Sequence, residues 1–190
     1  MSRNPFRKIL VGDLDRRTER FDLRPITQAD AQELFGQLSD PAVVEFMDVD
    51  VARDISDAQQ VIAWGMGARK AGVGFRWTIR DRENGTLVGT CGLHALEWER
   101  GLRGEIGYDV GQAFWGQRVM REVMPAALAL GFGTLGLHRI EAMVTAGNDH
   151  SGWLLERHGF HMEGMLRDYA FWKGRFWDQV IYARLATDQV

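Results

Sequence analysis

A chain of 190 residues with 45% apolar and 26% charged residues has the make-up of a globular protein long enough to bury a substantial core. A net charge of −3 argues against general nucleic-acid binding on bulk electrostatics. Cys91 is the only cysteine, which rules out an intramolecular disulfide and points to a reducing compartment. No stretch approaches the ~20 apolar residues of a membrane helix, and RNPFRK and DLDRRTER near the N-terminus leave no room for a signal-peptide core. A cytoplasmic location is expected. With no repeat, low-complexity tract or Pro/Ser-rich linker, the expectation is one domain over 1–190.

In chain order, RFDLRPI alternates and ends at a proline, which suits an opening strand. TQADAQELFGQLSD follows as a helix with Thr27 as N-cap, Asp30 completing an acidic form of the capping box, and Leu34, Phe35 and Leu38 on one face. SDAQQVIAWGMGARKAG reads as a second helix capped by Ser56. FRWTIRD and LVGTCGLHAL are strands joined across RENG, where Asn84-Gly85 signals a hairpin turn, and RGEIGYDVG is the next strand. In REVMPAALALGF and the residues just before it, Met120, Val123, Met124, Ala127, Leu128 and Phe132 keep helical spacing. Pro125 lacks an N–H and should bend this helix or sit in its first turn. A strand (HRIEAMVT), a capped helix (NDHSGWLLERHGF) and a closing hairpin (GMLRDYAFWKGRFWDQVIYARL) complete the chain. The order β-α-α-β-β-β-α-β-α-β-β predicts an α/β protein of the α+β kind: a central, mostly antiparallel twisted sheet flanked by helices.

Several features admit two readings. From Pro25 to Gln60 the acids Asp30, Glu33, Asp40, Glu45, Asp48, Asp50, Asp54 and Asp57 face Arg53 alone, which gives either a solvated helical face or an acidic rim for a cationic substrate. Phe171, Trp172, Phe176 and Trp177 crowd the closing hairpin; alternation sends some inward, and an outward pair offers a stacking platform or a homodimer contact. Core packing is the default for most tryptophans, with Trp153 alternatively a floor for an acceptor pocket. GFGTLG, residues 131–136, spells a dinucleotide motif but follows a helix and precedes a strand, the reverse of the required context. Cys91 belongs to the core, and the five histidines, His158 and His161 among them, lack metal-ligand spacing.

The chemistry concentrates around WGQRVMRE, residues 115–122. Strand EIGYDV, opened by Glu105, runs into this loop, and the loop runs into a helix whose free N–H groups and dipole favour an anion. Beyond the next strand, Asn148 opens another helix with Ser151 one turn on. Read alone, Asn148 is a helix cap, Ser151 a first-turn residue, and Glu105 a partner for Arg103 or Arg139.

The stretches LRPITQADA, LVGTCGLH, GEIGYDVGQAFWGQ, LGLHRIEAMVTAGNDHSGWLLERHGF and MEGMLRDYAFWKGRFWDQVIYARL, in this order from about Leu23 to Leu185, resemble the Gcn5-related N-acetyltransferase superfamily, in its RimJ/RimL-type branch. The resemblance implies a GNAT fold and an acetyl-CoA-dependent N-acetyltransferase without a metal. It implies that the pantetheine arm pairs with the strand at Tyr108, Asp109 and Val110, and that the pyrophosphate sits on Gln117, Arg118, Val119, Met120 and Arg121. Asn148 and Ser151 match the family's Asn-x-x-Ser, whose serine serves the departing sulfur, and Glu105 matches the glutamate that draws the proton from the amine. Tyr108 packs or binds the acyl arm. The acceptor is a primary amine, either a basic protein N-terminus of ribosomal-protein type or a small molecule. The loop departs from the family pattern: Arg118 stands where glycine is usual and Met120 where glycine or alanine is. Arg118 thereby forgoes easy access to positive φ but brings a guanidinium suited to phosphate, whereas Met120 adds bulk near the backbone. The competing reading is a non-catalytic or CoA-sensing protein with a degenerate phosphate loop.

Overall fold

The computed structural model describes residues 4–188. Among them one sheet of eight strands runs in the order β1-β2-β3-β4-β5-β6-β8-β7. Its strands are β1 (Arg16–Arg17), β2 (Phe21–Pro25), β3 (Phe75–Asp81), β4 (Leu87–Glu97), β5 (Arg103–Val110), β6 (Arg139–Thr145), β7 (His161–Trp172) and β8 (Arg175–Leu185). All neighbours are antiparallel except β5 and β6. That one parallel pair follows from the helical crossover between them, since two strands joined by a helix leave and return on the same side.

The helices are α1 (Phe6–Leu10), α2 (Ala31–Leu38), α3 (Pro41–Val44), α4 (Ile55–Ala71), α5 (Val119–Leu128) and α6 (Asp149–Arg157). The predicted box at Thr27 and Asp30 forms, but it opens a 3-10 turn (Gln28–Asp30) that leads into α2. α4 starts two residues earlier than expected. Asp54, rather than Ser56, is its cap: the Asp54 carboxylate accepts from the Ser56 N–H and boxes with Asp57. Gly72 ends it at φ 80°, a left-handed conformation that glycine adopts without a Cβ penalty. The RENG hairpin is real, but only Gly85 of the Asn84-Gly85 pair takes positive φ. In α5, Met120, Val123, Met124, Ala127 and Leu128 are buried as predicted. Pro125 lies inside the helix, and the chain passes at Ala129–Thr134 into a π-helical stretch that absorbs most of GFGTLG, ruling out a phosphate turn there.

The two faces of the sheet differ. On one, α1, α5 and α6 enclose the larger core, which includes Phe6, Trp77, Cys91, Leu93, Ile106, Met124 and Leu155. On the other, α2 and α4 close a smaller apolar cluster around Ile26, Leu34, Leu38 and Ile62. Between that cluster and the strands lies a layer of ion pairs. Asp30, at 0% exposure, accepts from Arg24 and Arg80 at 2.6 Å each and from the Thr27 N–H at 2.7 Å.

Candidate functional site

β5 and β6 stay in register at only three pairs, Arg103 with Arg139, Gly104 with Ile140 and Glu105 with Glu141. From residue 106 onward β5 has no strand partner on this side, although its other edge remains paired to β4 as far as Val110. A row of backbone N–H and C=O groups is therefore open in the middle of a sheet, where such groups are normally satisfied. An extended ligand fits that row as a strand would.

On the α2/α4 face of this gap stand Glu105, Gly107 and Asp109. Glu105 Oε1 lies 3.2 Å from Nε2 of His94, its direct partner across the β4–β5 ladder. Trp64 of α4 packs edge-on against the imidazole, with centroids 5.7 Å apart. A Cβ on Gly107 would stand 3.3 Å from His94 Cε1, so glycine there leaves the ring its place. Neither arginine that sequence offered as a partner takes Glu105. Arg103 and Arg139 bind Glu141 at 3.1 and 2.7 Å, and Arg139 also binds Glu163. Asp109 is buried, its carboxylate held by Arg76, Gln37 and Thr90. Its backbone faces Thr90 of β4, in the same register as the Gly111 N–H to Val88 carbonyl bond, so the backbone groups open to the gap are those of Tyr108 and Val110.

On the other face Tyr108 meets the start of α6. The Asn148 carboxamide accepts from the Ser151 N–H at 3.3 Å and caps the helix. The Tyr108 hydroxyl is buried without a hydrogen-bond partner and is turned toward Ser151. Burial pushes its phenol well above the ordinary range, against the opposing effect of the serine hydroxyl. Trp153 is 60% exposed and lines a shallow hollow of about 100 Å³ with Val180 and Tyr182, so it is not core.

The loop after β5 departs from both difficulties its sequence raised. Arg118 sits at φ 60°, ψ 27°, so the left-handed turn forms without glycine, at a local cost of roughly 1–2 kcal/mol. Met120 turns into the core at 6% exposure and leaves the loop surface to Arg118 and Arg121, both exposed. The first-turn N–H groups of α5, from Val119 on, have no intrahelical acceptor and receive no side-chain cap. Arg20 braces the loop from behind: its guanidinium donates to the Gln117 carbonyl at 3.1 Å and to Glu122 at 2.7 Å, and the same Glu122 carboxylate accepts from Thr18. Trp115 donates its indole N–H to the Val110 carbonyl at 2.7 Å.

An open strand edge ending at an uncapped helix N-terminus is an arrangement with relatives. The family model described as "Acetyltransferase (GNAT) domain" matches residues 20–161. The chain belongs to the GNAT acetyltransferase family. It is 37% identical over 171 residues to an uncharacterized N-acetyltransferase p20 of Bacillus licheniformis, covering 90% of this chain and 96% of that one. It is 31% identical over 124 residues to the [ribosomal protein uS5]-alanine N-acetyltransferase of Escherichia coli, covering 63% and 61%. Mycobacterium smegmatis RimJ, solved in complex with CoA-disulfide, superposes with a TM-score of 0.78 at 24% identity over 87% of this chain and 82% of that one.

Within this GNAT domain the far end of the gap is walled by a tethered loop. Lys173, at the tip of the β7–β8 hairpin, donates to the carbonyls of Val44, Glu45 and Met47 at the end of α3. Burial draws its ammonium below the ordinary lysine range, against Asp50, Asp48 and Glu45 around it. Thr145, where β6 ends, donates to the Phe46 carbonyl at 2.9 Å. Of the eight acids that sequence offered as a solvated face or a rim, five have partners within the fold: Asp30 and Glu33 pair with Arg80, and Asp40, Asp54 and Asp57 cap helices. Glu45, Asp48 and Asp50 remain as the acidic neighbourhood of the hairpin tip. Cys91 is fully buried and its thiol is pushed up to about 12, so it stays protonated and is no nucleophile. Among the described residues no cluster of His, Cys, Asp and Glu is built to hold a metal, and no helix is long and apolar enough to cross a membrane.

Proposed function

We propose that this GNAT chain transfers the acetyl group of acetyl-CoA to a primary amine, and that the acceptor is basic: a cationic protein N-terminus or a small polyamine-like molecule. The observation that carries this reading is the placement of Glu105 on one face of the β5–β6 gap and of Tyr108 and Ser151 on the other. The fit of the cosubstrate rests on the open β5 edge at the Tyr108 backbone and the Val110 N–H, the uncapped N–H groups of Val119, Met120 and Arg121, and the side chains of Gln117 and Arg118. Acetyl-CoA, when bound, supplies an acyl group already activated as a thioester.

The rest of the chemistry belongs to the chain. A primary amine arrives largely as an ammonium ion and must lose a proton before it can attack; Glu105, a quarter exposed, accepts that proton through water. His94 holds the carboxylate in place and spreads the incoming charge over a second titratable group. Backbone N–H groups on the open edge of β5 favour the negative charge that develops on the acyl oxygen. Ser151 donates a hydrogen bond to the departing thiolate, which takes its proton from solvent, and the neutral hydroxyl adds no charge of its own; Tyr108 stands beside it. The three acids near the hairpin tip favour a cationic acceptor. The single buried thiol supports the cytosolic expectation, and one sheet from β1 to β8 supports reading 1–190 as one domain.

The competing reading, a fold that binds partners without chemistry, draws on one observation: the Trp115 indole already occupies the Val110 carbonyl. Ser151→Ala separates the two. With a basic N-terminal peptide as acceptor, release of free CoA thiol is expected to fall about 10- to 100-fold while acetyl-CoA affinity stays within about 2-fold. An unchanged rate removes Ser151 from the mechanism.

A further inference from the structure

Helix α6 covers only part of its sheet face. Residues directly opposite on paired strands share a face, so Met162 shares one with Tyr182, Met165 with Val180 and Phe171 with Phe176. Alternation along β8 places Phe176, Val180 and Tyr182 together, and alternation along β7 adds Tyr169 to Phe171. Tyr182 is buried under α6, where a Cβ on Gly152 would stand 2.7 Å from its hydroxyl. Beyond it the face is bare: Met162, Met165, Tyr169, Phe171 and Phe176 are 56–62% exposed, and Trp153 at the near rim is equally so. These six make up half of the large apolar side chains that the described residues expose. Isolated exposed apolar groups are ordinary, but a contiguous set of this kind marks an interface.

We propose that this face is the interface of a homodimer, the β7–β8 hairpin of one protomer packing on that of its partner across a two-fold axis. Three features select a second copy over another occupant. The area is of the right size: four aromatics at about 60% exposure offer roughly 500 Å², and the two methionines bring the patch toward the ~800 Å² per partner of a standard interface. The rim carries both signs, Glu156 and Asp168 against Arg157 and Arg167, all exposed. A mixed rim can pair with itself under two-fold symmetry, whereas a polycation or an anionic lipid surface calls for one sign. Finally, β7 is the terminal strand of the sheet and lies two strands from the β5–β6 gap, so the contact leaves the acyl-transfer site free. The inference stands independently of the chemistry assigned to that site.

Light scattering on the full chain, from about 1 to about 100 µM, tests it. The wild type is expected at twice the 21.6 kDa of one chain. The double variant Phe171→Glu/Phe176→Glu, both side chains being exposed, is expected at the mass of one chain with an unchanged circular dichroism spectrum. Met66→Glu, exposed on α4, serves as control and keeps the double mass. A single-chain mass for the wild type throughout, or a double mass that survives in the double variant, overturns the proposal. If the wild type is single and also binds neutral phosphatidylcholine vesicles, the face serves a lipid surface instead.

Discussion

Glu105→Gln is expected to lower kcat by about 10²- to 10³-fold, the range a removed general base produces. It should also flatten the acidic limb of the pH–rate profile. The amide keeps the shape of the carboxylate and can still contact His94, 3.2 Å away in the wild type, so the loss reports proton transfer more than packing. The arginines that would otherwise have given Glu105 a structural role are bound to Glu141 and Glu163, so its removal leaves no orphaned guanidinium. The thermal midpoint is therefore expected to stay within a degree or two, which separates this variant from a folding defect. A steady-state pH series on both proteins with one acceptor reads out the difference; superimposable profiles would remove Glu105 from the chemistry.

Asp30→Ala is expected to have the largest effect on stability, about 3 kcal/mol or more, and to lower Tm by roughly 6–12 °C. Its carboxylate is fully buried and neutralises Arg24 and Arg80, and removing it leaves Arg80, itself largely buried, with Glu33 as its one carboxylate beside the Gly85 carbonyl. The interaction has a sign in pH. Burial works to raise the carboxyl pKa, but the Thr27 N–H and the Arg80 and Arg24 guanidinium groups outweigh it and hold the group below the ordinary carboxylate value. A depressed folded-state pKa contributes stability above the unfolded-state value, near 4, and that contribution is lost as pH falls through the folded-state value. Denaturant unfolding at pH 7 and at successively lower pH should therefore show the gap between wild type and variant narrowing on the acid side. A gap that stays constant or widens there would contradict the assignment.

Much of the fold was legible because its signals are local. Alternation in RFDLRPI, the helical stripe from Met120 to Leu128 and the aromatic hairpin each became the predicted element. Short elements escaped: α1 has five residues and α3 four, too few for periodicity to register. Neighbouring caps were confused because Asp54 and Ser56 both suit the role, and only geometry selects the carboxylate. The acidic segment left a solvated face and a rim both open because sequence does not show that Arg80, some 50 residues away, returns to Asp30 and Glu33. At the phosphate loop, sequence shows only that Arg118 lacks glycine's easy access to positive φ; the brace from Arg20, which holds Arg118 in that conformation, is a long-range contact.

His94 is the residue that sequence reading missed. A signal existed: folding the β4–β5 hairpin about Glu99 and Arg100 puts Thr90 opposite Asp109, Gly92 opposite Gly107 and His94 opposite Glu105. The irregularity between His94 and Glu97, where Ala95 takes positive φ, breaks that count from the turn inward and hides it. Exposed Trp64 and Trp153 were likewise unreadable, since a tryptophan in an amphipathic helix gives no sign of whether another element covers it.

Calorimetric titration of the purified protein with acetyl-CoA addresses the central claim most directly. The open β5 edge and the uncapped, left-handed start of α5 predict saturable binding at one site per chain with micromolar affinity, weakened when pyrophosphate competes. Absence of heat up to millimolar acetyl-CoA would make WGQRVMRE a helix start without a ligand, and the acyl-transfer reading would not survive it.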